Sequence, residues 1–270
     1  TTYSGSDYVM FSDTLSMYPV QDSEKWFEIP VVATNICDYD RSFGVEVDDK
    51  ASNAIEKKQY VVESNTVTIK AGERVAKFRM KGVYENIGKT DSLSVTFNLL
   101  AKDENIWDLY GTRTRVQMQK ACPFELSTFE GYCLLTSSFF SAYMTNTEHR
   151  LLQAERDKAE DNTIILHDFF YKNYDLKIKY DPSDPLKPFV EFDEQIIGST
   201  AEAFGTIYGN GKLMCDQPVA YDSYYNVCQK FVILYTTIYV VGKGTVGTYV
   251  NILEWISDEE AEQYKKEEGL

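Results

Sequence analysis

An all-β fold in two domains is what this sequence predicts, and three observations carry the prediction. The chain holds 20 Tyr and 15 Phe against 3 Trp in 270 residues. It repeats short segments in which apolar and polar residues alternate, and turn-forming residues separate those segments. Aromatic and β-branched side chains suit a pleated, half-buried surface, and alternation with a period of two is what such a surface imposes. The length exceeds that of most single domains, and half of it still suffices to bury a core without staples. A β-sandwich is placed at residues 1–121. An antiparallel sandwich or barrel-like domain with a terminal helix follows at 122–270, and Cys122-Pro123 is the hinge.

The elements follow in order. Tyr8 to Phe11 opens the first domain, and Trp26 to Ala33 comes next across Pro30, which suits an edge or a bulge. Phe43, Val45 and Val47 alternate with small or charged residues, as do Val67 and Ile69 before a turn at Lys70-Ala71-Gly72-Glu73. Ala76, Phe78 and Met80 then share a face. The clearest strand has Leu93, Val95, Phe97 and Leu99 on one side and Ser94, Thr96 and Asn98 on the other, and Arg113 to Lys120 ends the sandwich. In the second half Leu176, Ile178 and Tyr180 alternate with lysines. Short strands are expected at 189–192, 195–197, 204–208 and 212–215, with Gly209-Asn210-Gly211 as a hairpin turn. Long strands are expected at 229–241 and 248–255. Residues 148–161 are rich in helix formers, yet strands flank them so closely that a hairpin through 157–161 is the preferred reading. Ser257 and Glu260 form a capping box ahead of a helix over 258–268, whose segment carries six acids and two lysines.

The net charge of −15, from 27 basic and 42 acidic residues, removes whole function classes. Binding nucleic acid needs clustered Lys and Arg, and no basic run exceeds two residues. Attraction to an anionic membrane surface fails by the same sign. The longest apolar run, Phe231 to Val241, is broken by Thr236 and Thr237 and fits a buried strand rather than a membrane span. Thr1 is not followed by a basic and then apolar leader, which fits either a cytoplasmic protein or a mature chain whose signal has been removed. Of five cysteines, Cys122 with Cys133 and Cys215 with Cys228 could bridge neighbouring strands, but buried free thiols acting as small hydrophobes are the preferred reading.

Catalytic patterns are tested one by one. Gly242-x-Gly244-x-x-Gly247 follows an apolar strand, as a dinucleotide fingerprint should, but strand-forming residues follow it where a helix is required. Its glycines are better read as the turn between two long strands. His149 and His167 are the only histidines and stand in no metalloprotease spacing. Glu191 and Asp193 form a carboxylate pair of the sort a glycosidase uses, or simply a solvated strand face. Asp38, Asp40, Asp48 and Asp49 could crowd at one end of the sandwich and hold calcium, though without EF-hand spacing; no other cofactor is expected. Tyr221, Tyr224 and Tyr225, with Tyr235 and Tyr239, could form an exposed platform for flat sugar faces or a partner protein, or else pack the domain.

One stretch carries a family resemblance. Tyr60, then Val67-Thr68-Ile69, Lys70-Ala71-Gly72-Glu73, Ala76-Lys77-Phe78 and Leu93-Ser94-Val95-Thr96-Phe97 resemble in order a Calx-beta-type, Ig-like domain. With Tyr8 to Ser12 and Asp40 to Val45, the chain resembles envelope lipoproteins of gut Bacteroidetes that pair such a domain with a second β-rich one. The resemblance implies export, a lipidated cysteine upstream of Thr1 as the sole membrane attachment, and a periplasmic or surface location. It implies no enzymatic activity. The expected function is a binding or scaffold module whose partner is a polysaccharide or another envelope protein. The rivals are a carboxylate-based glycoside hydrolase and a purely adhesive module.

Overall fold

The computed structural model describes residues 5–107 and 111–270, so Thr1 lies outside the described residues. The chain divides into two compact units, Thr1–Cys122 and Pro123–Leu270.

Among its described residues the first unit is a β-sandwich of nine strands: β1 (Val9–Phe11), β2 (Leu15–Val20), β3 (Phe27–Ala33), β4 (Arg41–Val47), β5 (Tyr60–Val62), β6 (Thr66–Ile69), β7 (Val75–Gly82), β8 (Leu93–Leu100) and β9 (Arg113–Lys120). One sheet runs β1-β3-β7-β5 and the other β2-β9-β8-β4-β6. Ile29, Val31, Phe78 and Met80 from the first sheet meet Val95, Phe97, Val116 and Met118 from the second in one core. Phe97 takes Phe78 edge-on at 4.9 Å between centroids and Tyr60 at 6.4 Å. Tyr60 lies so far from water that burial pushes its phenol up to about 12.

Two details differ from the expected pattern. The polar face of β8 is not solvated: Ser94 and Thr96 are buried. The segment after β4 lies over them, with Asn53 Oδ1 accepting from Ser94 N at 2.6 Å and Ser52 Oγ from Thr96 N at 2.9 Å. Pro30 sits in an inner strand rather than at an edge. It is tolerated because the short β1 pairs only with Val31 to Ala33, and at Pro30 the β1 side asks only for the carbonyl, which accepts from Ser12 N at 3.1 Å.

The second unit is an antiparallel barrel. Its strands are β10 (Gly131–Ser137), β11 (Arg150–Arg156), β12 (Thr163–Leu166), β13 (Leu176–Tyr180), β14 (Phe189–Glu191), β15 (Gln195–Ser199), β16 (Lys212–Asp216), β17 (Ser223–Asn226), β18 (Phe231–Val240) and β19 (Gly244–Ile256). Its helices are α1 (Ser138–Tyr143), α2 (Thr200–Phe204) and α3 (Asp258–Glu268). The order β18-β17-β14-β13-β12-β11-β10-β19 closes through a β18–β19 pairing, so eight strands form a ring. β16 takes the far half of the β18 edge that β17 uses, and the β15–β16 hairpin leaves the ring there.

An eight-stranded ring is just wide enough for its own side chains to fill. Leu135, Leu152, Ile164, Ile178, Val232 and Leu253 point inward. One mouth is plugged by Phe129, Tyr180, Tyr225 and Trp255, and the other by Phe139, Phe140, Phe169 and Phe170. Near the second plug a buried polar set is satisfied internally. Ser137 Oγ donates to Asn251 Oδ1 at 2.6 Å, and Asn251 Nδ2 donates to Leu234 O at 2.9 Å and Thr236 Oγ1 at 3.0 Å.

Residues 148–161 are not a helix: they hold β11 and the turn that leads into β12, with which β11 forms a hairpin. Its turn is braced by Asp157, which accepts from Ala159 N at 2.8 Å and from Lys177 Nζ at 2.5 Å. Other expectations need correction. Phe204 to Tyr208 is not a strand: α2 ends at Phe204 with Gly205 in the left-handed region, and a loop follows. Gly209-Asn210-Gly211 therefore closes that loop onto β16 instead of joining two strands directly. Cys122 and Cys228 are disulfide-bonded whereas Cys37, Cys133 and Cys215 are free, so neither neighbouring pair forms. Cys133 and Cys215 are inward on β10 and β16, where burial holds their thiols well above the usual range.

Candidate binding surface

The tyrosines expected to act together are split by the strand period. On β17, Tyr225 points inward and is 6% exposed, while Tyr224 points outward and is 39% exposed. Tyr225 is therefore a core residue, which corrects its assignment to a platform. Its hydroxyl donates to Asp181 O at 3.2 Å, and burial pushes the phenol up to about 12.

The outer face of β17, β18 and β19 is nonetheless aromatic and apolar. Register aligns Tyr224 with Ile233 and Ile252, and sets Tyr235 beside Val250. Phe189 stands beyond Tyr224 on β14. Tyr221, 54% exposed on the loop before β17, stacks on Tyr235 with centroids 5.1 Å apart and planes 23° from parallel. Tyr224 meets Phe231 edge-on at 6.3 Å. Tyr239, farther along β18, is bound through its hydroxyl to Glu194, which pushes that phenol up to about 12. The surface is thus a shallow row of ring faces and aliphatic side chains, fixed by backbone pairing.

The four aspartates do not converge. Asp40 precedes β4 and Asp48 follows it, and eight residues of extended chain separate them by about 26 Å. Asp40 accepts from Lys70 Nζ at 2.8 Å and from Ala71 N at 2.9 Å, and Lys70 holds its carboxyl below the usual range. Asp48 caps the 3-10 turn Asp49–Ala51 and pairs with Arg113 at 2.9 Å. Asp38 and Asp49 are exposed. Among the described residues, no three His, Cys, Asp or Glu side chains are grouped to hold a metal ion.

The carboxylate pair fares similarly. Glu191 ends β14 and Asp193 lies in the turn after it, both exposed. Of the histidines, His149 Nδ1 shares a hydrogen bond with Thr136 at 2.8 Å, and His167 sits between Asp175 and Glu155 on the surface.

The glycine motif has a structural explanation. Gly244 has φ +110° at the β18–β19 turn, and a Cβ on Gly247 would stand 2.7 Å from the hydroxyl of Tyr249. Beside this turn lies a recess of about 420 Å³ that sequence reasoning missed, walled by Tyr143, Phe204, Tyr208, Val240 and Val246 with Lys243 at its rim. Its walls come from α1, α2, a loop and a hairpin, so no local pattern announces it. The only signal in the sequence is the glycine turn that carries Lys243.

Among the described residues, no helix is long and apolar enough to cross a membrane. Residues 109–267 match the family described as "Domain of unknown function (DUF4984)". No curated protein matches the chain. Among solved structures, the apo-form Calx CBD1 domain is 15% identical, with a TM-score of 0.35, over 44% of this chain and 100% of that one. A protein of unknown function from Bacteroides ovatus is 8% identical, with a TM-score of 0.38, over 91% of this chain and 89% of that one. An auxiliary nutrient binding protein from Bacteroides thetaiotaomicron VPI-5482 is 10% identical, with a TM-score of 0.33, over 90% of this chain and 91% of that one.

Proposed function

The chain belongs to the DUF4984 family, and we propose for it a non-enzymatic binding role in the cell envelope: capture of polysaccharide on the outer tyrosine face of the barrel. The observation that carries this reading is an exposed Tyr221 stacked on the half-buried Tyr235 of β18, beside an exposed Tyr224 on β17. Ring faces held in place present apolar area to the C–H faces of a sugar at low entropic cost. The barrel interior is filled, so a long ligand has the outside to bind. On this reading the protein is held at the periplasmic or outer surface by a lipidated cysteine upstream of Thr1. Glu191 and Asp193, both exposed at the end of β14 and in the turn after it, fit a solvated surface better than a hydrolase pair.

The test is binding of the purified chain to an array of plant and host polysaccharides, with and without Ca²⁺. Binding to at least one glycan is expected, weakened by about tenfold or more, about 1.4 kcal/mol, in Tyr221→Ala and Tyr224→Ala. Added Ca²⁺ should leave it unchanged, since Asp40 and Asp48 stand at opposite ends of β4. Silence across the array, or binding indifferent to both substitutions, refutes the reading. A second reading rests on Val250 and Ile252, 37% and 36% exposed. These aliphatic neighbours suit a partner protein better than a sugar, and capture of an envelope protein lost in Ile252→Lys would favour it.

A further inference from the structure

The recess at the β18–β19 turn is a different site, and we propose that it binds a small aromatic monocarboxylate. It is independent of the tyrosine face: none of the residues lining it belongs to that face. At about 420 Å³ it falls within the roughly 300–1,000 Å³ of small-molecule sites.

Its walls are rings set at steep angles. Tyr143 meets Phe204 at 68° with centroids 5.4 Å apart, and Tyr249 at 80° with centroids 6.4 Å apart. Behind them Phe139 stacks on Phe170 at 4.5 Å, so the Tyr143 wall is backed by the barrel plug rather than by solvent. Tyr208 closes the outer side, anchored by its backbone N–H donating to Thr200 Oγ1 at 2.9 Å. Rings crossed in this way leave a slot whose sides are ring faces and edges, which suits a flat ligand ring in stacked or edge-on contact.

Charge selects the rest of the ligand. The chain carries −15 overall, yet no carboxylate lines the recess and one lysine does. Lys243 Nζ stands 5.4 Å from the centroid of the Tyr208 ring and forms no ion pair among the described residues. Backbone chemistry keeps it there: it occupies the tight turn between β18 and β19, with its N–H donating to Val240 O at 3.0 Å. A carboxylate entering beside Tyr208 gains that ammonium, while a second negative charge would find no partner and meet the field of the whole molecule. The complementary ligand is therefore a single ring carrying a single carboxylate.

The experiment titrates the full chain with trans-cinnamate, its neutral amide and octanoate, followed by calorimetry. Saturable cinnamate binding is expected, with the amide weaker by about tenfold. Lys243→Met, in an exposed turn, should abolish that difference and leave amide binding unchanged, while Phe204→Ala should weaken both aromatic ligands. Tyr221→Ala should change neither, so failure of the glycan reading leaves this one standing, and the reverse. No saturation, equal affinity for acid and amide, tighter binding of octanoate, or indifference to Lys243→Met each overturns the proposal.

Discussion

Tyr225 puts its ring within 5.2 to 5.8 Å of Tyr180, Phe124 and Phe129, centroid to centroid, whereas the neighbouring Tyr224 ring stands half in water. Truncating the inner ring should therefore cost stability and truncating the outer one should not. Tyr225→Ala is expected to lose about 3–5 kcal/mol, Tyr225→Phe about 1 kcal/mol for the bond to Asp181 O, and Tyr224→Ala no more than about 0.5 kcal/mol. Urea unfolding monitored by circular dichroism measures all three, and equal losses at 224 and 225 would contradict the assigned faces. His167 offers a pH test. Partial burial works against its charge, but Asp175 Oδ2 at 3.0 Å and Glu155 Oε2 at 3.3 Å outweigh that and raise its pKa above 6.5. A folded value above the unfolded one means the stabilisation is complete below about pH 6.5 and fades as pH climbs through the folded value. Proton NMR should place the imidazole midpoint above 6.5, and His167→Gln should flatten the loss of stability in that window. A midpoint at or below 6.5 would remove the claim.

At the scale of elements, the β11–β12 hairpin shows how context overrides propensity. Glu148 to Asp161 favours a helix by composition, but Leu152 and Ala154 alternate inward and fit the barrel period. Strands that alternate cleanly, such as β8 and β9, were legible with their boundaries, and so was α3 from its capping box. β10 was not, because Leu134 on its outer side is as apolar as Cys133 and Leu135 within. α1 was hidden as well: Ser138–Tyr143 is built of aromatics and serines with little helix propensity, and it forms because Ser137 Oγ accepts from Phe139 N at 3.1 Å. That same serine belongs to the buried set around Asn251, so β10, α1, β18 and β19 depend on one amide. Asn251→Ala should strand the Ser137 hydroxyl and the Leu234 carbonyl and cost about 2–3 kcal/mol. A loss below about 0.5 kcal/mol in thermal unfolding would show the network to be dispensable.

Across the whole molecule, the all-β character was readable from alternation and composition, whereas the ring was not. Closure depends on β18 pairing with β19 on one side and sharing its other side between β17 and β16, and nothing local encodes how an edge is shared. The tyrosine face was legible as a cluster but not as a surface, because choosing Tyr224 over Tyr225 requires the register. Closure also sets how the barrel opens. Amide hydrogen exchange in the eight ring strands should be slow and of one common free energy, while β15 exchanges earlier, since only β16 holds it. A gradient of protection around the ring would mean that it opens strand by strand.

A ring offers no end at which another strand can be added, and among the described strands of this sheet the outer side of β15 is the exception. That side is short, and its pairing slips at a bulge between Ile196 and Gly198 before Ser199 turns the chain into α2. Bulges and short lengths are how open edges are kept from templating intermolecular sheets. The barrel is thereby protected against cross-β assembly twice, once by having almost no edge and once by spoiling the edge it has.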